Sequence, residues 1–202
     1  MAHRWTWRAM RIALLLGAMG GGAVAADSAT ATFAGGCFWS LEAAFDKVPG
    51  VIETLSGYTG GSDTAPTYET VAAGRGGHRE AVQVRFDPTQ VDYETLLVTY
   101  WHNINPVDRY GQFCDLGPSY TTAIYTHTPD QRRLAEESRT VLEQLKFHRP
   151  LATEIHDAMP FYPAEAAHQD FARRQPALYA RYRATCGREA ELARVWAQTP
   201  ER

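Results

Sequence analysis

The chain has 202 residues, 45% hydrophobic and 21% charged, a globular balance that excludes a disordered or collagen-like polymer. A formal net charge of −3 leaves no basic footprint for nucleic acid. Three cysteines are too few for a disulfide scaffold, and their odd number flags a free or redox-active thiol.

The first segment reads as a leader. Arg4, Arg8 and Arg11 precede the apolar run "IALLLGAMGGGAV", which is short and glycine-rich for a membrane span. It ends in "AVAAD", with small residues at the spacing a signal peptidase reads. Residues 1–26 are therefore expected to be a signal peptide, cleaved after Ala25 or Ala26. No Arg-Arg pair marks twin-arginine export, and no cysteine at the cut marks lipidation. Residues 27–202 are read as one domain, exported to an oxidising compartment. That compartment is the periplasm in a Gram-negative source, and otherwise the medium.

The elements then alternate. "ATATFAG" reads as a strand running into Gly35-Gly36. "FWSLEAAFDKV" carries Phe38, Leu41, Ala44, Phe45 and Val48 at helical spacing, and Pro49-Gly50 stops it. "VIETLSGYTGG" reads as a strand and "TYETVAAGRGGH" as a short helix or turn. "REAVQVRFD" alternates cleanly and predicts a strand. "DYETLLVTYWHNI" predicts a helix capped by Asp92 and ending before Asn105-Pro106. "YGQFCDLGP" reads as an irregular loop and "YTTAIYTHT" as a strand. "TPDQRRLAEESRTVLEQL" predicts a helix with Thr128 as cap and Pro129 in its first turn. "ATEIHDA" reads as a short strand and "AEAAHQDFARRQ" as a helix. "RYRATCGREAELARVWAQ" reads as a loop and a last helix. The pattern predicts an α/β (α+β) two-layer sandwich with extra C-terminal helices.

The chemistry concentrates at Cys37. A strand, two glycines and a helix start place it at the first turn. Unpaired N–H groups and the positive dipole end are expected to stabilise a thiolate there. The glycines are expected to let another molecule approach the sulfur. A small buried hydrophobe is the commoner fate of a lone cysteine, but this setting favours a nucleophile. Phe38 and Trp39 are adjacent on a helix and point about 100° apart, so both cannot face one core. At least one is expected to form an apolar wall beside the sulfur, suited to a methyl group. Glu80 shares strand parity with Val82, Val84 and Phe86, so its carboxyl points to the apolar face, where desolvation raises its pKa. A protonated carboxyl near neutral pH is a general acid.

"GGCFWSLE" resembles the Gly-Cys-Phe-Trp-x-x-Glu signature of the A-type peptide-methionine sulfoxide reductases. Four further segments resemble the family in order: "PGVIETLSGYTGG", "PTYETVAAGRGGHREAVQVRFDP", "YGQFCDLGPSYTTAIY" and "FYPAEAAHQDF". The resemblance implies a two-layer core related to the ferredoxin-like sandwich. It implies reduction of the S epimer of methionine sulfoxide, free or in proteins, through a cysteine sulfenic acid and a disulfide. It implies no metal and no prosthetic cofactor, with a thioredoxin-type dithiol as reductant. Cys37 is then the nucleophile and Glu80 the acid. Phe38 and Trp39 hold the methyl group, Tyr68 and Tyr120 hydrogen-bond the oxygen, and Asp115 supports the site.

The chain departs from the better-known pattern at its thiols. Many relatives carry two cysteines in a glycine-rich tail, whereas this chain has Cys186, followed by a helix. It also has Cys114 beside Asp115, and no thiol at Ser40 or Leu41. Cys186 is the expected resolving thiol, from a mobile loop, with a Cys37–Cys186 bridge as the oxidised product; Cys114 is the second candidate. Glu165 and His168 read as a brace behind the site on a helix face, and His78 as the residue fixing the loop that presents Glu80. A papain-like Cys-His hydrolase, with His78 as partner of Cys37, is the alternative enzyme. A binding module stapled by one disulfide is the non-enzymatic one. A monomer is the default expectation.

Overall fold

The computed structural model describes residues 28–197, so the segment read as a signal peptide lies outside the described residues. Six strands form one mixed sheet: β1 (Ala29–Ala34), β2 (Val51–Thr59), β3 (Arg79–Phe86), β6 (Ala123–Thr126), β7 (Glu154–Asp157) and β8 (Tyr162–Pro163). Their order is β7-β6-β1-β3-β2-β8, antiparallel except for the parallel β6–β7 pair. Two short strands, β4 (Gly111–Gln112) and β5 (Asp115–Leu116), form a separate hairpin.

The helices are α1 (Phe38–Phe45), α2 (Tyr68–Ala72), α3 (Tyr93–His102), α4 (Pro129–Leu142), α5 (Phe171–Arg174), α6 (Pro176–Cys186) and α7 (Arg188–Ala197). Apart from the short α2 between β2 and β3 and the β4–β5 hairpin before β6, the chain from β1 to β6 runs β1-α1-β2-β3-α3-β6, with the four strands ordered β6-β1-β3-β2. That is the ferredoxin-like arrangement the resemblance implied.

Local signals fix the helix starts. Asp92 accepts from Thr95 N–H at 2.7 Å, and Thr128 accepts from Gln131 N–H at 3.1 Å. The core lies between the sheet and its helices. Phe33 stacks on Phe45 and on Tyr100, each at 5.0 Å between ring centres. Fully burying such a side chain stabilises by about 1.5–3 kcal/mol. The odd members of β1, Ala31 and Phe33, join this core together with Val82, Val84 and Phe86 of β3. Ala34, Ala81, Ala123 and Tyr125 pack on the sheet's other face. Among the described residues no helix is long and apolar enough to cross a membrane.

Three elements differ from the sequence reading. "YGQFCDLGP" is the β4–β5 hairpin, turning at Phe113 with φ 61°. Residues 166–170 form a turn, and only Phe171–Arg174 is helical. Asp170, at φ 53°, does not continue a right-handed helix. Residues 181–186 belong to helix α6, so Cys186 is its last residue and not part of a loop.

Candidate active site

Cys37 is the N-cap residue of α1, reached from β1 through Gly35 and Gly36. Packing demands both glycines. A Cβ on Gly35 would lie 2.7 Å from Ile104, and one on Gly36, at φ +81°, would lie 2.6 Å from Gln112. They therefore accommodate the protein's own side chains, which replaces the expected role of opening a path to the sulfur. Cys37 is a free thiol and only 6% exposed.

The thiolate expected from the helix start is not the resting form. Burial pushes the Cys37 thiol well above its ordinary value, and the charges of Glu80 and Asp115 push the same way. The helix start is felt through Trp39 N–H, and Tyr182 offers its hydroxyl, but burial outweighs both. One of the orphan N–H groups of α1 is committed elsewhere: Phe38 N–H donates to Glu80 Oε2 at 3.0 Å.

Glu80 lies in β3 on the helix-facing side, as its parity predicted, and is 2% exposed. Burial raises its pKa to about 8, against the Phe38 N–H, and Asp115 adds to the rise. The acid is thus protonated at neutral pH. His78, also buried, accepts from Gly61 N–H on Nδ1 at 3.2 Å and engages Asp63 O through Nε2 at 2.7 Å. It ties the end of β2 to the start of β3 and so fixes the approach to Glu80. Both its ring nitrogens are engaged by backbone, so it is no base for Cys37.

An aromatic wall stands beside the sulfur. Phe38 is fully buried, 6.0 Å from the Tyr58 ring and 6.4 Å from that of Tyr68. Trp39 is half-buried and stacks on Phe171 at 3.8 Å. Its Nε1–H donates to His168 Nδ1 at 3.3 Å, and His168 stacks on Tyr68 at 4.2 Å. Glu165 accepts from Tyr58 O–H at 2.7 Å and from Tyr68 N–H at 2.9 Å. Glu165 and His168 brace the site from a turn, not from the helix face expected. Burial pushes the Tyr68 hydroxyl up to about 12, with Glu80 and Cys37 next among its causes. Tyr120 is raised by burial, then by Glu80. Both phenols therefore stay protonated donors within electrostatic range of Glu80 and Cys37.

Asp115, on β5, is half-buried and raised by burial; Tyr182 and Arg188 oppose the rise. Tyr182 O–H donates to Asp115 Oδ2 at 2.5 Å. Next to Asp115, Cys114 is bonded to Cys186, with Cα atoms 5.0 Å apart. This is not the expected Cys37–Cys186 bridge. The turn at Phe113 carries Cys114 to the end of α6, while Cys37 lies buried at the end of β1. Among the described residues, Cys114, Asp115 and Cys186 are the one His, Cys, Asp or Glu cluster at metal-ligand spacing. Its two sulfurs are bonded to each other, so in this redox state it offers one carboxylate.

The family model for peptide methionine sulfoxide reductase matches residues 29–200. The chain belongs to that family. It is 52% identical over 167 residues to the peptide methionine sulfoxide reductase MsrA of Bacillus licheniformis, covering 82% of this chain and 92% of the relative. It is 46% identical over 182 residues to MsrA 2 of Caulobacter vibrioides, covering 90% and 92%. Among solved structures, methionine sulfoxide reductase A of Corynebacterium diphtheriae superposes with a TM-score of 0.65 at 33% identity, over 74% of this chain and 76% of that one. Mxr1 of Saccharomyces cerevisiae in reduced form shares the fold, with a TM-score of 0.70 at 23% identity over 74% and 87%.

In the reductase the sequence-predicted residues Cys37, Phe38, Trp39, Tyr68, Glu80, Asp115 and Tyr120 converge around one thiol. Cys114 and Cys186 lie at its rim. Sequence reasoning missed Tyr182, which touches Asp115 and reaches the Cys37 thiol. It also missed Arg188, a fully buried guanidinium 4.4 Å over the Phe113 ring that donates to Asn103 O at 2.5 Å. The one local trace of Tyr182 is its position four residues before Cys186, which puts both on one face of α6.

Proposed function

We propose that the reductase removes the oxygen from the S epimer of methionine sulfoxide, free or in proteins, with Cys37 as nucleophile and Glu80 as acid. The observation that carries this is a free, buried thiol next to a carboxyl that burial keeps protonated up to about pH 8. Cys37 sulfur attacks the sulfoxide sulfur while Glu80 delivers its proton to the oxygen. Tyr68 and Tyr120 donate to that oxygen, and Phe38 and Trp39 enclose the methyl group. The oxygen ends on Cys37 as a sulfenic acid, methionine leaves, and the thiol's proton restores Glu80. With two protons shared between thiol and acid, the step needs no charge in the dry pocket before substrate arrives.

Recycling uses the other two cysteines. Cys186 thiolate displaces water from the sulfenic acid, and exchange with Cys114 leaves the Cys114–Cys186 bridge. A thioredoxin-type dithiol returns it to the reduced pair. Tyr182 supports Cys186 as the first attacker, because it reaches Cys37 from one turn away on the same helix face.

The test is dithiothreitol-driven reduction of the two separated epimers of a methionine sulfoxide peptide. The S epimer should be consumed and the R epimer left. Equal consumption of both, or peptide cleavage without reductant, contradicts the reading.

Export is part of the same proposal. It is supported by the arginine-flanked apolar run, by "AVAAD", and by a family match that begins at residue 29. Sequencing of the mature N-terminus should begin at Ala26 or Asp27, and a mature protein retaining Met1 contradicts export by cleavage.

A further inference from the structure

We infer that a protein dithiol of the thioredoxin type docks on the face around the β4–β5 turn and attacks Cys114 Sγ, so that Cys186 leaves as the thiolate. This rests on the recycling scheme above, and adds which sulfur is attacked and on what surface.

The two sulfurs of the bridge are not equivalent. Cys114 is exposed, whereas Cys186 is partly buried at the end of α6. Thiol–disulfide exchange needs the nucleophile to reach one sulfur while the other departs, and access selects Cys114. The departing sulfur is already solvated by the protein: Cys114 N–H donates to Cys186 Sγ at 3.2 Å. That hydrogen bond strengthens as the sulfur gains charge. The negative end of α6 opposes a thiolate there, but a dipole acts diffusely and the N–H contact is direct.

The surface around Cys114 fits a protein more than a small reductant. Tyr110 is 74% exposed, Leu116 68% and Leu178 54%. Tyr110 O accepts from Gly117 N–H at 2.8 Å, so Tyr110 and Leu116 stand on the two arms of the hairpin that carries Cys114. Leu178 lines a cavity of about 440 Å³ together with Cys114, Cys186, Phe171 and Tyr182. Apolar side chains left in solvent around a central reactive group mark an interaction site. The disulfide of exposed Cys114 at its centre specifies a partner that brings a thiolate.

The exchange balances. The partner's thiolate forms a bond to Cys114 Sγ, the Cys114–Cys186 bond breaks, and Cys186 takes the electron pair. The partner's second thiolate then displaces Cys114. The partner leaves oxidised by two electrons, and Cys114 and Cys186 are reduced.

The experiment mixes oxidised reductase with a bacterial thioredoxin whose second active-site cysteine is serine, and maps the trapped mixed disulfide by peptide mass. A bond to Cys114 is expected, and a bond to Cys186 overturns the assignment. In parallel, Tyr110→Asp and Leu116→Asp should raise KM for intact thioredoxin by about 10-fold, with dithiothreitol-driven turnover unchanged. An unchanged KM in both variants overturns the docking face. Single-turnover methionine release by the wild type, assayed without thioredoxin, fails only if the catalytic reading itself is wrong.

Discussion

The pocket of Cys37 and Glu80 and the bridge of Cys114 and Cys186, which the proposed function joins in one reaction cycle, are built on opposite terms. In the pocket both groups are nearly sealed, at 6% and 2% exposure, and burial raises the pKa of each. At the bridge, Cys114 stands in solvent on a hairpin turn. Oxygen removal needs a proton held where water does not compete for it. Recharging needs a sulfur that a second protein can reach. Tyr182 spans the two, donating to Asp115 within reach of Cys37 while lying one helical turn from Cys186.

The sharpest way to break this contrast is Cys37→Ser. It should abolish methionine release completely, including the first turnover, because Cys37 is the thiol within electrostatic reach of the Glu80 acid. Release of one equivalent by the variant would move the chemistry to the rim. Glu80→Gln should slow the sulfoxide step by about 10²–10⁴-fold, since the amide donates a hydrogen bond but no proton. For the wild type, the single-turnover rate should fall as pH rises through about 8, where Glu80 loses its proton. The same pH series on the variant should lack that fall. Glu165→Gln should weaken the hold on Tyr58 and Tyr68, reducing kcat/KM by roughly 3–10-fold, the equivalent of about one hydrogen bond. A larger loss would assign Glu165 to the chemistry.

A stability effect of opposite sign accompanies Glu80. Its carboxyl titrates near 4.5 in the ordinary state and near 8 in the fold. Between those values the folded chain holds a proton that the unfolded chain has released. The contribution is therefore full below pH 4.5 and lost as pH rises to about 8. Glu80→Gln escapes that loss and should be more stable than the wild type at pH 7 by about 3 kcal/mol. Denaturant midpoints at pH 5 and pH 7 check it: the gain should appear at pH 7 and shrink at pH 5.

The pocket was more legible in the sequence than the rim, for a physical reason. Cys37 and Glu80 sit where local rules act: a strand running into glycines and a helix start, and strict alternation in a half-buried strand. Asp92 and Thr128 announced their helices in the same local way. At the rim, the strands of the hairpin have two residues each, too few for any alternation to show. Helix α6 has no buried residue, so no apolar period reveals it. The Cys114–Cys186 bridge closes over 72 positions, and the contact of Tyr182 with Asp115 over 67. Those pairings are properties of the folded chain. The turn at 166–170 misled for a related reason: Gln169 donates to Ser56 O at 2.8 Å and accepts from Ser56 N–H at 2.9 Å, a tertiary hold that overrides helix propensity.

The division between a sealed chemical site and an accessible recharging site is tested most directly by the Cys114→Ser/Cys186→Ser double variant, given methionine sulfoxide of the S epimer and thioredoxin. One equivalent of methionine per enzyme is expected at the wild-type single-turnover rate, followed by arrest with Cys37 as a sulfenic acid that dimedone labels. Loss of the first equivalent, or continued turnover on thioredoxin alone, would contradict that division.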